Sequence, residues 1–516
     1  MPGDSPTVAA ILRRQVGARG DHPLLVCDSD RIGYAEADRR SAELARGLIA
    51  CGAGKGTHVG LLYPNGTDFV VGMLAAARIG AVVVPFSTFA TARELREQLV
   101  DSDVQILLSA KSFRSHDYVA RLAEVLAVRD FASCDRLFVP AVPQLRHVAV
   151  NCERVDRLAE VVEPSLLEAM EDDVDGSDPL AIIYTSGSTS TPKGVLHTHA
   201  ALLGHQKNLN TIRGLTAGDK LFCNSPFFWI GGYAFGLLAT LVAGSTLICS
   251  NAEDAGDTLD LLETEKPTMT NGFVAGIAHL AADPSFAQRD LSSMQRGNLY
   301  PIMAPAARPA DPELRHNMLG MTEAGSVVLI SGDESDQPEK RRGSYGKPAP
   351  GFATKIIDPD AAGVGELCIR GPFVMQRYHK RSREECFDAD GWFHTGDLVR
   401  TDDDGFVYFV GRLGAMIKTA GANVSAAEVE KAIAKVAGTE AHVVGIPDAE
   451  RGELVAAVIV EGAQSGLDEA ALRERLKDEL SSYKIPKRFL ALPRAEVPLL
   501  SSGKVDTQRL KELFDA

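Results

Sequence analysis

Apolar positions along this chain fall into two rhythms. Leu24 to Cys27, Val59 to Tyr63, Val82 to Val84 and Ile106 to Leu108 are short unbroken runs of the kind found in strands buried on both faces. Between them, Thr67 to Ile79 and Glu94 to Val100 carry helical spacing. Such alternation favours parallel sheets covered by helices. The polar, acidic stretch Ser331 to Arg342 (SGDESDQPEKRR) reads as an exposed connection, after which short β elements begin, such as Glu366 to Arg370. Past Arg412 the pattern restarts as a compact α+β unit, with a helix from Glu428, strands at His442 to Ile446 and Val455 to Val460, and a helix over Glu469 to Leu480. The expected fold class is α/β. A large multi-lobed N-terminal domain, residues 1–411, has mostly parallel sheets with covering helices plus a β-rich subdomain, and a small α+β C-terminal domain spans residues 412–516.

One stretch tests this picture. Asn224 to Ala252 holds no charged residue, and Trp229 to Cys249 is long enough to cross a bilayer. Gly231, Gly232, Gly236 and Gly244, with Ser245 and Thr246, divide it into a buried helix and a core strand, so no stable membrane insertion is expected. The balance of 54 basic against 69 acidic residues gives a formal charge of -15, which disfavours nucleic acid as a partner. Eight cysteines without CxxC spacing argue against a zinc site and a disulfide scaffold. The N-terminus lacks the marks of a secretory signal, so a cytoplasmic protein is expected, with a homodimer left open.

The densest chemistry lies in Ile182 to Gly194, IIYTSGSTSTPKG, where a strand pattern runs into a loop rich in hydroxyls and glycine. Small residues let backbone N–H groups approach an anion, Thr185, Ser186, Ser188 and Thr189 add hydroxyl donors around Gly187, and Lys193 brings a positive charge. That is the composition of a phosphate cradle. It is not the common GxxxxGK[ST] loop, because Gly194 follows Lys193. An ordinary Ser/Thr-rich surface loop would leave that lysine without a task. The order T-S-G-S-T-x-T-P-K-G resembles the signature loop of the adenylate-forming superfamily of acyl-CoA synthetases, nonribosomal adenylation domains and beetle luciferases.

The resemblance extends along the chain and looks closest to acyl-CoA synthetases. Leu319-Gly320-Met321-Thr322-Glu323 is similar to the family's aromatic-G-x-T-E motif, which implies that Thr322 contacts the adenylate phosphate and Glu323 holds Mg2+. A lone TE pair would read more readily as a helix cap. Gly391 to Asp397 (GWFHTGD) resembles the segment whose aspartate, here Asp397, accepts both ribose hydroxyls. Gly411-Arg412 resembles the hinge motif, with Arg412 reaching ribose or phosphate. Pro498 to Asp506 (PLLSSGKVD) resembles the terminal lysine loop, making Lys504 the residue that neutralises charge at the α-phosphate. These matches imply a ligase that uses ATP, Mg2+ and CoA. An acid attacks ATP to give an acyl-adenylate, a mobile C-terminal domain rotates, and CoA takes the acyl group.

Amino-acid-activating relatives place an aspartate where this chain reads Asn224 to Gly232 (NSPFFWIGG), so a simple amino acid is not expected. Phe228, Trp229 and Gly231 resemble pocket-wall residues and suit a hydrophobic, bulky small-molecule acid, although plain core would use the same residues. Three positions depart from the family pattern. Ser190 stands for a glycine of the phosphate loop, Leu319 for the aromatic that stacks on adenine, and Ala415 for the hinge aspartate. All three bear on ATP loading or domain rotation, which keeps open a ligase that performs only thioester formation from a preformed acyl-adenylate. A luciferase-like oxidase and a non-catalytic acyl-adenylate binding protein are further alternatives.

Overall fold

The computed structural model describes residues 6–128, 131, 136–151, 153–185, 192–412, 416–461, 468–499 and 505–514. They divide into two compact units. The first comprises Met1–Thr88, Leu99–Tyr184 and Gly194–Gly411, and the second Phe89–Gln98, Thr185–Lys193 and Arg412–Ala516.

The first unit is built on two large sheets. One runs in the order Arg377–Tyr378, Lys193–Thr198, Pro179–Thr185, Val82–Pro85, His58–Leu62, Ile106–Ser109, His147–Val150. Its centre is parallel, with Val59 opposite both Val83 and Ile106, and Arg377–Tyr378 adds an antiparallel edge. The other sheet orders Arg296–Gly297, Met269–Asn271, Lys220–Cys223, Thr246–Cys249, Pro23–Cys27, Asp30–Gly33, again parallel except at the last pair. The unbroken apolar runs arise because these strands are covered on both faces. One core joins them, with Leu25, Leu61, Leu180, Leu221 and Leu247 packed around the helices Tyr34–Ala50 and Thr67–Arg78.

The uncharged stretch resolves into the expected pieces. Gly231–Leu238 forms a π-helical segment continued by the helix Ala239–Ala243, and Thr246–Cys249 is a central strand. Gly232 permits the close start of that helix, since a Cβ there would lie 2.1 Å from the Pro226 carbonyl oxygen. No helix among the described residues is long and apolar enough to cross a membrane. Six cysteines among the described residues are free thiols.

Antiparallel strands follow. Leu319–Met321, Ser326–Ile330 and Lys347–Pro348 form one small sheet, and Ala353–Ile357, Gly365–Arg370, Phe393–Thr401 and Val407–Arg412 another. Leu319, Ala324, Val327, Tyr378, Phe393 and Val407 share one core, which also receives Val195. The connection Ser331 to Arg342 is largely exposed, but Gln337 is buried and donates to Asp333 at 2.9 Å, folding the loop upon itself.

In the second unit, Ala422–Ser425, Met416–Thr419, Gly452–Glu461, Ala441–Asp448 and Arg488–Pro493 form a sheet. The helices Ala426–Ala437 and Glu469–Leu476 pack on it through Val429, Ile433, Leu472 and Leu476. A buried ammonium ties its pieces together: Lys484, 7% exposed, lies 2.6 Å from a Glu94 oxygen and 2.8 Å from one of Glu428, while Ser481 donates to Glu94 at 2.6 Å. Burial opposes ionisation of Glu94, yet Lys484 and these hydrogen bonds hold its carboxyl below the ordinary value. Burial outweighs the same ammonium at Glu428, whose pKa is raised.

Candidate active site

The sequence Leu319-Gly-Met-Thr-Glu-Ala-Gly325 folds as a short strand entering a single 3-10 turn, Thr322–Ala324. Gly325 closes the turn at φ +67, a conformation that disfavours side-chain residues, and its N–H returns to the Thr322 carbonyl at 3.0 Å. The turn is held from several directions. His197 Nε2 lies 2.7 Å from the Thr322 carbonyl oxygen, and the Met375 N–H donates to the Glu323 carbonyl at 2.8 Å. Gln206 donates to the Gly325 carbonyl at 3.1 Å, and His205 Nε2 meets the Val327 carbonyl at 2.9 Å. The Tyr378 hydroxyl donates to Glu323 Oε1 at 2.7 Å and fixes the direction of that carboxylate. An oriented, half-buried carboxylate is the hard oxygen ligand that Mg2+ takes, so the residues fit that ion.

His197 and His205 support this region and are buried, as is His199, whose Nδ1 accepts the Val8 N–H at 3.2 Å. Burial lowers each pKa from the ordinary 6.5 to about 4, against the opposing pull of nearby carbonyls or carboxylates. All three are therefore neutral at pH 7, and a carbonyl partner requires the proton on Nε2 of His197 and His205.

Asp397 sits on the strand Phe393–Thr401, 6% exposed. Its N–H donates to Thr395 Oγ1 at 3.0 Å, and that hydroxyl donates onward to the Leu367 carbonyl at 2.6 Å. Glu366 accepts the Gly396 N–H at 2.9 Å, fixing the turn beside Asp397. Burial, then the charges of Glu313 and Asp397, push the Tyr345 hydroxyl upward. The turn at Thr322 and the strand of Asp397 rise from the same core, through Leu319 and Ala324 on one side and Phe393 and Val399 on the other.

Gly320 is exposed, and Met321 half-buried, at the end of their strand. Leu319 is 3% exposed and points into the core. Thr185 ends the strand Pro179–Thr185, and Lys193 begins the strand Lys193–Thr198. Arg412 ends the strand Val407–Arg412. Ser186, Gly187, Ser188, Thr189, Ser190, Ala415 and Lys504 lie outside the described residues.

Phe228 is buried and Trp229 half-buried, with ring centroids 5.3 Å apart, and Phe273 stands edge-on to Trp229 at 6.1 Å. Gly231 has room for a methyl group, its nearest neighbour being Ser225 Oγ at 3.6 Å. Sequence reasoning missed Phe273 and the asparagines that set this wall. Asn224 accepts the Phe273 N–H and donates to the Phe273 carbonyl, both at 3.0 Å. Asn298 accepts the Gly272 N–H at 3.1 Å and donates to its carbonyl at 2.8 Å, while Asn65 accepts the Phe227 N–H at 2.8 Å and donates to the Ser225 carbonyl at 3.1 Å. Each asparagine follows the C-terminal end of a parallel strand, where open α/β sheets place their ligands, and that position was the available signal.

Comparison with known proteins shows the family. The AMP-binding enzyme family matches residues 12–379, and the AMP-binding enzyme C-terminal domain matches residues 428–504. Feruloyl-CoA synthase of an Amycolatopsis species is 32% identical over 94% of this chain and 94% of its own length. Indoleacetate–CoA ligase of Aromatoleum aromaticum is 28% identical, covering 93% of each chain. Among solved structures, o-succinylbenzoate CoA synthetase of Bacillus subtilis shares the fold with a TM-score of 0.76 at 24% identity, over 97% of this chain and 98% of that one. A fatty acyl CoA synthetase of Mycobacterium tuberculosis superposes with a TM-score of 0.65 at 26% identity, over 98% of each. With both family regions matched and feruloyl-CoA synthase alike along nearly its whole length, the chain belongs to the AMP-binding enzyme family of the adenylate-forming superfamily and is an AMP-forming acid–CoA ligase.

Proposed function

We propose that this ligase activates a hydrophobic, aromatic-sized carboxylic acid as its acyl-adenylate and then forms the thioester on free CoA. The observation that carries the reading is the Thr322–Glu323 turn, immobilised by His197, Met375, Gln206 and Tyr378 and rising from one core with the Asp397 strand. A carboxylate oxygen of the acid attacks the α-phosphorus of ATP, and the bond to pyrophosphate breaks. The CoA sulfur then attacks the acyl carbonyl, and AMP departs.

In this reading Thr322 binds the α-phosphate, and Glu323 holds Mg2+, which neutralises phosphate charge when bound. Asp397 accepts the ribose hydroxyls as an ionised partner. By resemblance, Thr185, Ser186, Gly187, Ser188, Thr189 and Lys193 cradle the phosphates, Gly320 and Met321 border the adenylate, and Arg412 reaches ribose or phosphate. Lys504 from the C-terminal domain, residues 412–516, neutralises charge in the first step, and Ala415 marks the hinge. Preorganisation of this kind matters because donors already in place need no reorganisation as charge develops.

The rings of Phe228, Trp229 and Phe273 support an apolar acid, and the names feruloyl-CoA synthase and indoleacetate–CoA ligase point to the aromatic class. The test is a panel of ferulic, 4-coumaric, indole-3-acetic, octanoic and acetic acids with MgATP and CoA. Aromatic acids should exceed acetate at least tenfold in kcat/KM. Equal rates across the panel would remove the assignment of the wall.

A further inference from the structure

The strand that leaves the phosphate loop does more than carry Lys193. Five residues into it stands His197, fully buried, on the same pleated face as Lys193 and Val195. Val195 packs in the core of Leu319 and Ala324, so this face lies directly against the Thr322–Glu323 turn. The strand is fixed on its outer edge as well. Gln376 and His379 donate their N–H groups to the Leu196 and Gly194 carbonyls at 2.9 and 2.7 Å.

At the turn itself, the Thr322 carbonyl receives two hydrogen bonds. One is the local N–H of Gly325 at 3.0 Å, which exists in any such turn, and the other is His197 Nε2 at 2.7 Å. The second is supplied from 125 residues away and joins the turn to the strand. Both lone pairs are thereby used, and the imidazole fits close beside Gly325, whose added Cβ would lie 3.7 Å from His197 Cε1. Loss of the ring donor would leave a buried acceptor half satisfied and free the turn to rotate about its remaining contacts.

We propose that His197 is a positioning residue, whose ring N–H holds the Thr322 carbonyl so that the Thr322 hydroxyl and the Glu323 carboxylate stay directed at the nucleotide phosphate and its metal. The assignment rests on the reading of that turn given under Proposed function. It predicts a dependence on donor reach rather than on polarity alone. Glutamine at 197 carries an amide N–H at about the distance of Nε2, whereas asparagine carries the same group on a side chain one methylene shorter.

The test is MgATP binding to the full chain by calorimetry, for wild type, His197→Gln, His197→Asn and Thr322→Ala, with the melting temperature recorded for each. Thr322→Ala and His197→Asn should each weaken binding about tenfold, and His197→Gln should recover to within about threefold of wild type. Equal loss in the glutamine and asparagine variants would refute the donor role, and so would wild-type affinity in the asparagine variant beside a weakened Thr322→Ala. Unchanged binding in Thr322→Ala, or no MgATP binding by wild type, would instead overturn the reading of the turn. An asparagine variant that unfolds while glutamine restores both melting temperature and affinity still supports the assignment, because of the two only glutamine carries its amide N–H to the Thr322 carbonyl.

Discussion

Acidification should strike the first unit through its buried histidines. His197, His199 and His205 each have a pKa lowered from 6.5 to about 4 in the fold. Unfolding lets them protonate at their ordinary value, so between pH 6.5 and pH 4 the unfolded state binds more protons and stability falls as pH falls. Their contribution is fully present above pH 6.5 and is lost as pH drops towards 4. Each histidine costs about 2 kcal/mol between pH 7 and pH 5, and the three together on the order of 5 kcal/mol. That is comparable with the whole stability of many domains. Urea denaturation followed by near-UV circular dichroism, repeated across this pH range, reads the slope directly. His205→Gln keeps a donor for the Val327 carbonyl but cannot titrate, so its slope should be shallower by about 1.4 kcal/mol per pH unit. A slope unchanged by that substitution would refute the argument, because it would mean that His205 does not change protonation on unfolding.

Two further outcomes follow from named contacts. Replacing Lys484 by Met leaves Glu94 and Glu428 buried without their shared cation, and stability of the second unit should fall by about 3 to 5 kcal/mol in urea denaturation. Adding Glu94→Gln and Glu428→Gln should restore most of it, whereas a loss below about 1 kcal/mol in the single variant would contradict the role of the network. Asp397→Asn removes the charge from the proposed ribose acceptor and should raise KM for ATP by about 10- to 100-fold in a pyrophosphate-release assay, with little change in melting temperature; an unaltered KM would remove Asp397 from the nucleotide site.

Much of the frame was legible in the sequence because the central strands are covered on both faces and must be apolar throughout. Leu24 to Cys27, Val59 to Tyr63 and Ile106 to Leu108 are matched by Pro23–Cys27, His58–Leu62 and Ile106–Ser109. The helix expected over Glu469 to Leu480 ends at Leu476, although Leu480 remains buried, since an apolar contact can be kept after the helical backbone stops. Leu319 stands where the resemblance places a ring stacked on adenine, and its side chain is buried in the core. Local motifs pointed to Thr322, Glu323 and Asp397 because a short run of polar and glycine residues has its meaning in its own neighbourhood. His197, Asn224 and Asn298 act on carbonyls and amides 125, 49 and 26 residues away, and nothing near them in sequence announces that partner.

The central claim is that one chain makes an acyl-adenylate and transfers its acyl group to CoA. The direct measurement is quantitative mass spectrometry of a reaction holding ferulic acid, MgATP and CoA, run beside one supplied with synthetic feruloyl-adenylate and CoA alone. The account predicts equal amounts of AMP, pyrophosphate and feruloyl-CoA in the first and feruloyl-CoA with AMP in the second. Thioester in the second reaction without pyrophosphate in the first would contradict it, and would assign the protein to thioester formation only.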